Sequence, residues 1–453
     1  MALPFVETPL AGWGRVAPAT CAVYRPEKRR SIASLLEDAA GSTFIARGLG
    51  RSYGDAAVNA EGAVLDCTRL DRMLGFDEAS GVLHAEAGVS LAAILEVFVP
   101  RGWFLPVTPG TKFVTLGGAI ANDVHGKNHH RDGTFGQFVE KLELQTPAGE
   151  RLLCSPTENE DVFWATVGGV GLTGVILTAW LRLQRIESAY VRVDYHKAAD
   201  LDEVLAQMAE NDARYKYSVA WVDCLAQGAS LGRSVLMHGE HAPASGLPPR
   251  AAAAPLHLPP RGRKTVPADV PGFMLNRYSI GAFNEVFYRM HRTESGKLVD
   301  YERYFYPLDS ILHWNRLYGR RGFVQYQATL PFSEQAGLVK LLERLAASGR
   351  ASFLAVLKCF GEANPGFLSH PFRGYTLTLD VPYREGLVPF LHELDRILLD
   401  HGGRVYFAKD SAATADTIAK MYPRLDEFKA LRARLDPEGV LCSSLARRTG
   451  LVA

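Results

Sequence analysis

Between residues 43 and 87 the chain alternates short apolar runs with turn residues, which predicts strands at 43–46, 63–66 and 82–87. Ser90 then stands as an N-cap before Leu91, Ile94, Leu95 and Phe98, whose spacing predicts an amphipathic helix ending near Pro100. Another helix is expected to begin at Ser31. The runs 139–144 and 151–154 flank the turn Pro147-Ala148-Gly149-Glu150 and predict a hairpin, 158–165 reads as a short helix, and 175–183 is a β-rich run.

After Ile186 the pattern changes. Leu201, Val204, Leu205 and Met208 fall at helical spacing, and 217–222 reads as a strand. The strand 323–330 alternates and places Gln325 and Gln327 on one face, where two amides suit hydroxyl recognition. A helix (334–347), two strands (352–359 and 375–381) and a helix (387–399) lead to Gly402-Gly403 and a further strand at 404–407. The expected fold class is α+β with two domains, 1–188 and a substrate (cap) domain 189–403 built on an antiparallel sheet with helices, followed by a C-terminal segment 404–453. The stretch 239–272 is rich in Pro, Ala and Arg and reads as a mobile loop, either simply solvated or a lid leaning on a membrane or lipid substrate.

A length of 453 residues exceeds what one core usually serves, and 47% hydrophobic residues suffice for two. Fifty Lys and Arg against 49 Asp and Glu give a net charge of +1, so no global field draws the chain to nucleic acid, and no nucleic-acid partner is expected. Cys21, Cys67, Cys154, Cys224, Cys359 and Cys442 are scattered, with no Cys-x-x-Cys, and read as reduced thiols. The first residues lack a basic, then apolar, leader and no ~18-residue apolar run occurs. A cytoplasmic location is expected, with peripheral membrane association left open.

Two glycine-rich runs carry the chemistry. Arg47-Gly48-Leu49-Gly50-Arg51-Ser52-Tyr53-Gly54-Asp55 lies between two expected strands, and Pro109-Gly110-Thr111 leads to Gly117-Gly118-Ala119-Ile120-Ala121-Asn122-Asp123-Val124-His125-Gly126. Both read as phosphate-cradling loops whose backbone can approach an anion closely. The literal G-x-G-x-x-G at Gly169 to Gly174 is not a dinucleotide fingerprint, because a β-rich run rather than a helix follows. The G-x-S-x-G at Gly228 to Gly232 lacks a strand-to-helix context. His125, His129 and His130 lack a fourth ligand, so no metal is expected.

Both loops, with Trp13-Gly14-Arg15 and Tyr406-Phe407-Ala408-Lys409-Asp410-Ser411, resemble the FAD-containing oxidising subunits of decaprenylphosphoryl-β-D-ribose 2′-epimerases, within the wider vanillyl-alcohol-oxidase-like flavoproteins. The resemblance spans nearly the whole chain and thins out at residues 237–276. It implies that 1–188 is a PCMH-type FAD-binding domain to which 404–453 returns. It also implies cofactor contacts from Arg47, Gly48, Leu49, Gly50, Arg51, Ser52, Tyr53, Gly54 and Asp55, from Gly110, Thr115, Leu116, Gly117, Gly118, Asn122, Asp123, Val124 and His125, and from Ile176 and Tyr406. Covalent members attach FAD through a His in the first loop, where Arg51 stands here, so non-covalent FAD is expected.

By the same resemblance Lys409, Tyr53 and His125 are catalytic, and Lys127, Trp221, Gln325, Gln327, Lys358, Thr376 and Thr378 bind substrate. Thr376 and Thr378 replace the Asn and Cys of mycobacterial members, and Phe305 replaces an active-site Tyr. Removing hydride from a secondary alcohol requires loss of the hydroxyl proton, a role expected of Lys409 supported by Tyr53 if a pKa is lowered. The implied activity is oxidation of the ribose C2 hydroxyl of a polyprenyl-phosphoryl ribose, a lipid-linked sugar phosphate. An NAD(P)H-dependent short-chain reductase would be the functional partner that completes epimerisation to the arabinose donor of cell-wall arabinan. The alternative is a soluble alditol or sugar-lactone oxidase using O₂.

Overall fold

The structure, a computed structural model, describes residues 4–37, 41–259, 262–350 and 352–452. Two sheets build the N-terminal domain. The first contains β1 (Phe5–Leu10), β2 (Ala19–Tyr24), β3 (Phe44–Arg47) and β4 (Ala63–Asp66) in the order β1-β2-β4-β3, with β2 and β3 parallel to β4. Ala63, Val64 and Leu65 are all buried, so β4 is covered on both faces, as its unbroken apolar run requires. The second sheet contains β5 (Met73–Asp77), β6 (Val82–Glu86), β7 (Val139–Gln145), β8 (Arg151–Cys154) and β9 (Val175–Arg182) in the order β5-β6-β9-β7-β8. The first glycine run leaves the end of β3. The second enters the helix Leu116–Ala121, whose first turn is capped by the Thr115 hydroxyl accepting from the Gly118 N–H (3.2 Å).

The second domain is an eight-stranded antiparallel sheet of β10 (Tyr190–Ala198), β11 (Tyr217–Val222), β12 (Ser234–His241), β13 (Glu294–Asp300), β14 (Phe323–Pro331), β15 (Ala355–Phe360), β16 (Gly374–Pro382) and β17 (Arg404–Val405). Their order is β13-β10-β12-β11-β15-β16-β14-β17. Register places Gln325 opposite Asp380, Gln327 opposite Thr378, Thr378 opposite Val356, and Val356 opposite Trp221. Side chains on a strand alternate between faces, so these residues form one face across the middle of the sheet. The other face carries Tyr326, whose hydroxyl donates to Asp395 (2.9 Å) on the helix Leu387–Asp400. Beside it the helix Gln335–Ser348 buries Leu338, Leu341, Leu342 and Leu345, each contributing about 1.5–3 kcal/mol of hydrophobic stabilisation.

One strand lies where none was expected, and two expectations are corrected. The strand β1 lacks the buried alternation that marks a strand in sequence: it is an edge carrying Pro9 and exposed Phe5 and Val6. The strand at 404–407 shortens to Arg404–Val405 and belongs to the substrate sheet, pairing with Ala328 and Thr329, because the backbone turns at Tyr406 to accept from Lys409 and Asp410. The stretch 239–272, of which 260–261 lie outside the described residues, is not a structureless insertion. It holds the end of β12, the helix Pro249–Ala252 and a short strand Lys264–Thr265 paired with Ile311–Leu312. Leu256 and Leu258 pack on the core and the Pro255 carbonyl accepts from Ala189 N–H (2.7 Å), so its few apolar residues anchor it.

Candidate active site

Between the two domains lies a cavity of about 1160 Å³. One wall is made by the two glycine loops, from Arg47 to Tyr53 and from Thr108 to Lys127; the opposite wall is the sheet face described above. The wall also includes an apolar arm with Trp221, Met237, Leu275, Phe283 and Phe287.

The loop wall is built for a ligand. A Cβ on Gly48 would lie 2.2 Å from the Thr115 hydroxyl, so glycine there lets the two loops pack together, and one on Gly117 would lie 2.8 Å from the Ala87 Cβ just after β6. At Gly110 a side chain would meet no protein atom within 4 Å. Arg51 stacks on Trp13, its guanidinium 3.9 Å from the ring, and the Trp13 N–H donates to the Ser52 carbonyl (2.8 Å). Three buried polar atoms on this wall, Arg51 Nε, Asn122 Oδ1 and His125 Nδ1, have no hydrogen-bond partner within the protein. Orphaned buried polar groups are costly, so their convergence on one cavity fits a polar ligand. A long, multi-ringed phosphate such as FAD fits both the volume and the donors.

At the sheet end the chemistry is cationic. Lys409 follows the turn after β17, and the Tyr53 N–H donates to the Ala408 carbonyl (2.9 Å), tying the first glycine loop to that turn. Burial drives the Lys409 ammonium well below the ordinary lysine range, with Asp380 opposing the shift and Lys358 reinforcing it. Lys358, on β15, is pulled down by burial to about 8, and Lys127 by burial and the repulsion of Lys358 to about 7. Lys127 Nζ donates to the Tyr304 carbonyl (2.8 Å).

The Gln327 side-chain amide donates to His125 Nε2 (2.8 Å) and to the Thr376 hydroxyl (3.2 Å). His125 is therefore acceptor at Nε2 and carries its proton on the orphaned Nδ1. Burial and nearby cations push its pKa well below the usual value, so the ring is neutral near pH 7. Burial, with the nearby Asp380 charge, pushes the Tyr53 phenol well up, which keeps its proton on.

Of the residues expected in the site, Arg47, Gly48, Leu49, Gly50, Arg51, Ser52, Tyr53, Gly110, Thr115, Gly117, Gly118, Asn122, Val124, His125, Lys127, Ile176, Trp221, Gln325, Gln327, Lys358, Thr378, Tyr406 and Lys409 line the cavity. Five expected residues stand behind its wall instead. Thr376 is fully buried and supports Gln327. Leu116 is core. Asp123 accepts from Ser369, Asn364 and Gly136, fixing the end of the second loop. Gly54 packs against the Asp410 carbonyl, where a Cβ would come within 2.0 Å, and Asp55 is paired with Arg448 (2.7 Å). Arg47 lines the wall, but its guanidinium is spent on the Ala11 and Ala57 carbonyls (2.8 Å each).

Sequence reasoning missed Asp380. It is fully buried on β16, accepting from the Gln325 amide and the Tyr318 hydroxyl (3.3 Å), and burial raises its carboxyl against these hydrogen bonds. A lone carboxylate in the alternating run of β16, on the face of Thr376 and Thr378, was the available signal. Among the described residues no His, Cys, Asp and Glu group could hold a metal ion.

Comparison with known proteins agrees with this geometry. Residues 20–155 match the family described as FAD binding domain, and residues 376–449 match D-arabinono-1,4-lactone oxidase. The fold and site are those of an FAD-dependent oxidoreductase. The chain is 40% identical to decaprenylphosphoryl-beta-D-ribose oxidase of Mycolicibacterium smegmatis over 99% of both chains. It is 23% identical to L-gulono-1,4-lactone dehydrogenase of Mycobacterium tuberculosis over 96% of this chain and 97% of that one. Cytokinin dehydrogenase 8 of Oryza sativa is 31% identical, over only 37% of this chain and 35% of its own. The chain belongs to the decaprenylphosphoryl-β-D-ribose oxidase family.

Proposed function

We propose that this protein oxidises the C2 hydroxyl of a polyprenyl-phosphoryl-β-D-ribose to the ketone, the first half of epimerisation to the arabinose donor, with a separate NAD(P)H-dependent reductase completing it. The observation that carries the reading is the cavity itself, in which a glycine-loop wall, a cationic end and an apolar arm are continuous. When bound, FAD supplies the hydride acceptor.

The chain's own residues do the rest. Arg51, Asn122 and the glycine-loop N–H groups hold the cofactor without a covalent bond. Lys409, kept neutral in part by burial, takes the proton from the C2 hydroxyl, and Tyr53 fixes the position of its Nζ. His125 Nδ1–H and Gln325 orient the sugar hydroxyls, and Lys127 and Lys358 meet the phosphate. Trp221 and Phe287 line the space for the prenyl chain.

The match of residues 376–449 to D-arabinono-1,4-lactone oxidase favours a second reading, a lactone or alditol oxidase. Anaerobic mixing separates the two. A prenyl-phosphoryl ribose should bleach the flavin, whereas bleaching by free lactones or alditols with none by the lipid-linked sugar would reverse the assignment.

A further inference from the structure

Six of the twelve large apolar residues left exposed among the described residues fall between Phe273 and Met290: Phe273, Met274, Tyr278, Phe283, Val286 and Met290. The other six are spread over the rest of the chain. Scattered exposed apolar residues are ordinary, but a contiguous group marks an interaction site. The helix Arg277–Met290 arranges it. Ile280 and Asn284 turn inward, Asn284 donating to Asp223 (2.7 Å), while Phe283, Val286 and Met290, three and four residues apart, share an outer side.

Charge surrounds this side. Residues 262–292 contain Arg263, Lys264, Arg277, Arg289 and Arg292 against only Asp269 and Glu285. Both carboxylates are already ion-paired, Asp269 with Arg15 and Glu285 with Arg233 and Arg289. The excess is local, since the whole chain carries only +1. Met274 and Phe283 are at once exposed and part of the cavity wall, so the apolar surface runs without a break from outside into the arm.

We propose that the segment from Phe273 to Arg292 is a docking surface for an anionic lipid bilayer, its apolar side chains entering the acyl boundary and its arginines meeting headgroup phosphates. A second copy of the chain fits the surface less well, because a symmetric contact would set this basic patch against itself. Docking here places the mouth of the apolar arm at the bilayer, so a prenyl chain can slide from lipid to cavity without crossing water. That last step rests on the function proposed above; the docking does not.

The test uses the FAD-loaded full chain with vesicles of phosphatidylcholine alone or with about a third phosphatidylglycerol. Cosedimentation is expected with the anionic vesicles only, weakening as salt shortens the Debye length. Val286 and Met290 lie outside the cavity wall, so V286E/M290E should lose ~10-fold or more in vesicle binding while keeping the flavin spectrum and the rate on a short-chain, water-soluble substrate. Should that variant fold poorly, R277E/R292E probes the same surface through its charge. The proposal is overturned if the wild type ignores anionic vesicles or if both variants bind as well as it does. A reversible wild-type dimer abolished by the same substitutions, with no vesicle binding, would overturn it in favour of self-association. Vesicle binding by a protein that oxidises no lipid-linked sugar would support the surface and refute the catalytic reading alone.

Discussion

The ammonium of Lys409 lies 4.0 Å from the centroid of the Tyr53 ring, on a turn whose carbonyl at Ala408 holds the Tyr53 N–H. An aromatic face stabilises a cation, whereas burial favours the free amine. The pair can thus hold or release a proton at little cost, which is what deprotonating an alcohol near neutrality demands.

Replacing Lys409 with Ala should therefore leave FAD bound and slow anaerobic flavin reduction by ~10² or more, the scale of losing an acid–base group. Stopped-flow absorbance measures it. A loss of only a few-fold would move the role to Tyr53, with Tyr53→Phe as the companion variant.

Asp380 should act on the reaction through Lys409. Its carboxylate favours the charged ammonium, so Asp380→Asn removes that support and lets the amine lose its proton at lower pH. The ascending limb of the pH profile of flavin reduction should move to the acid side. An unmoved limb with a lower plateau would mean that Asp380 serves only to hold Gln325.

How much of this was legible in advance divides along physical lines. Elements with strict periodicity, such as Leu91–Phe98 and Phe323–Pro331, and loops with unusual glycine density stand out in one dimension. Lys358 was legible too, being a charge in mid-strand. Asp380 was not, because its meaning depends on Gln325, Tyr318 and Lys409 converging from distant segments. The Phe273–Met290 surface was hidden for the opposite reason: its residues look like core until the helix places Ile280 inward and leaves them outside.

Binding of the substrate phosphate should take up protons. Without an anion Lys127 and Lys358 sit at about 7 and about 8. A bound phosphodiester raises both, so affinity should be highest below pH 7 and fall as pH rises through 7 to 8 and beyond. Calorimetry in buffers of different ionisation enthalpy reads the uptake directly. Affinity independent of pH between about 6 and 9 would remove both lysines from the phosphate site.

The purified protein should be yellow and release its FAD on acid precipitation, because Arg51 offers no nucleophile to the cofactor and its guanidinium is engaged on Trp13. Flavin absorbance in the supernatant is the expected result; colour retained in the washed pellet would show a covalent link elsewhere.

Arg448 bridges Asp55 (2.7 Å) at the end of the first glycine loop and Asp410 (2.8 Å) beside Lys409, while Leu441 bridges to Phe44 in β3. The first glycine loop is thus clamped by a segment about four hundred residues further along the chain. Such long-range contacts are slow to close, so the first glycine loop stays unlatched until the segment that carries Arg448 has been made and has folded back. A variant cut back before the helix Ser444–Arg448 would keep the strands of both domains and lose the ion pair that latches the first glycine loop.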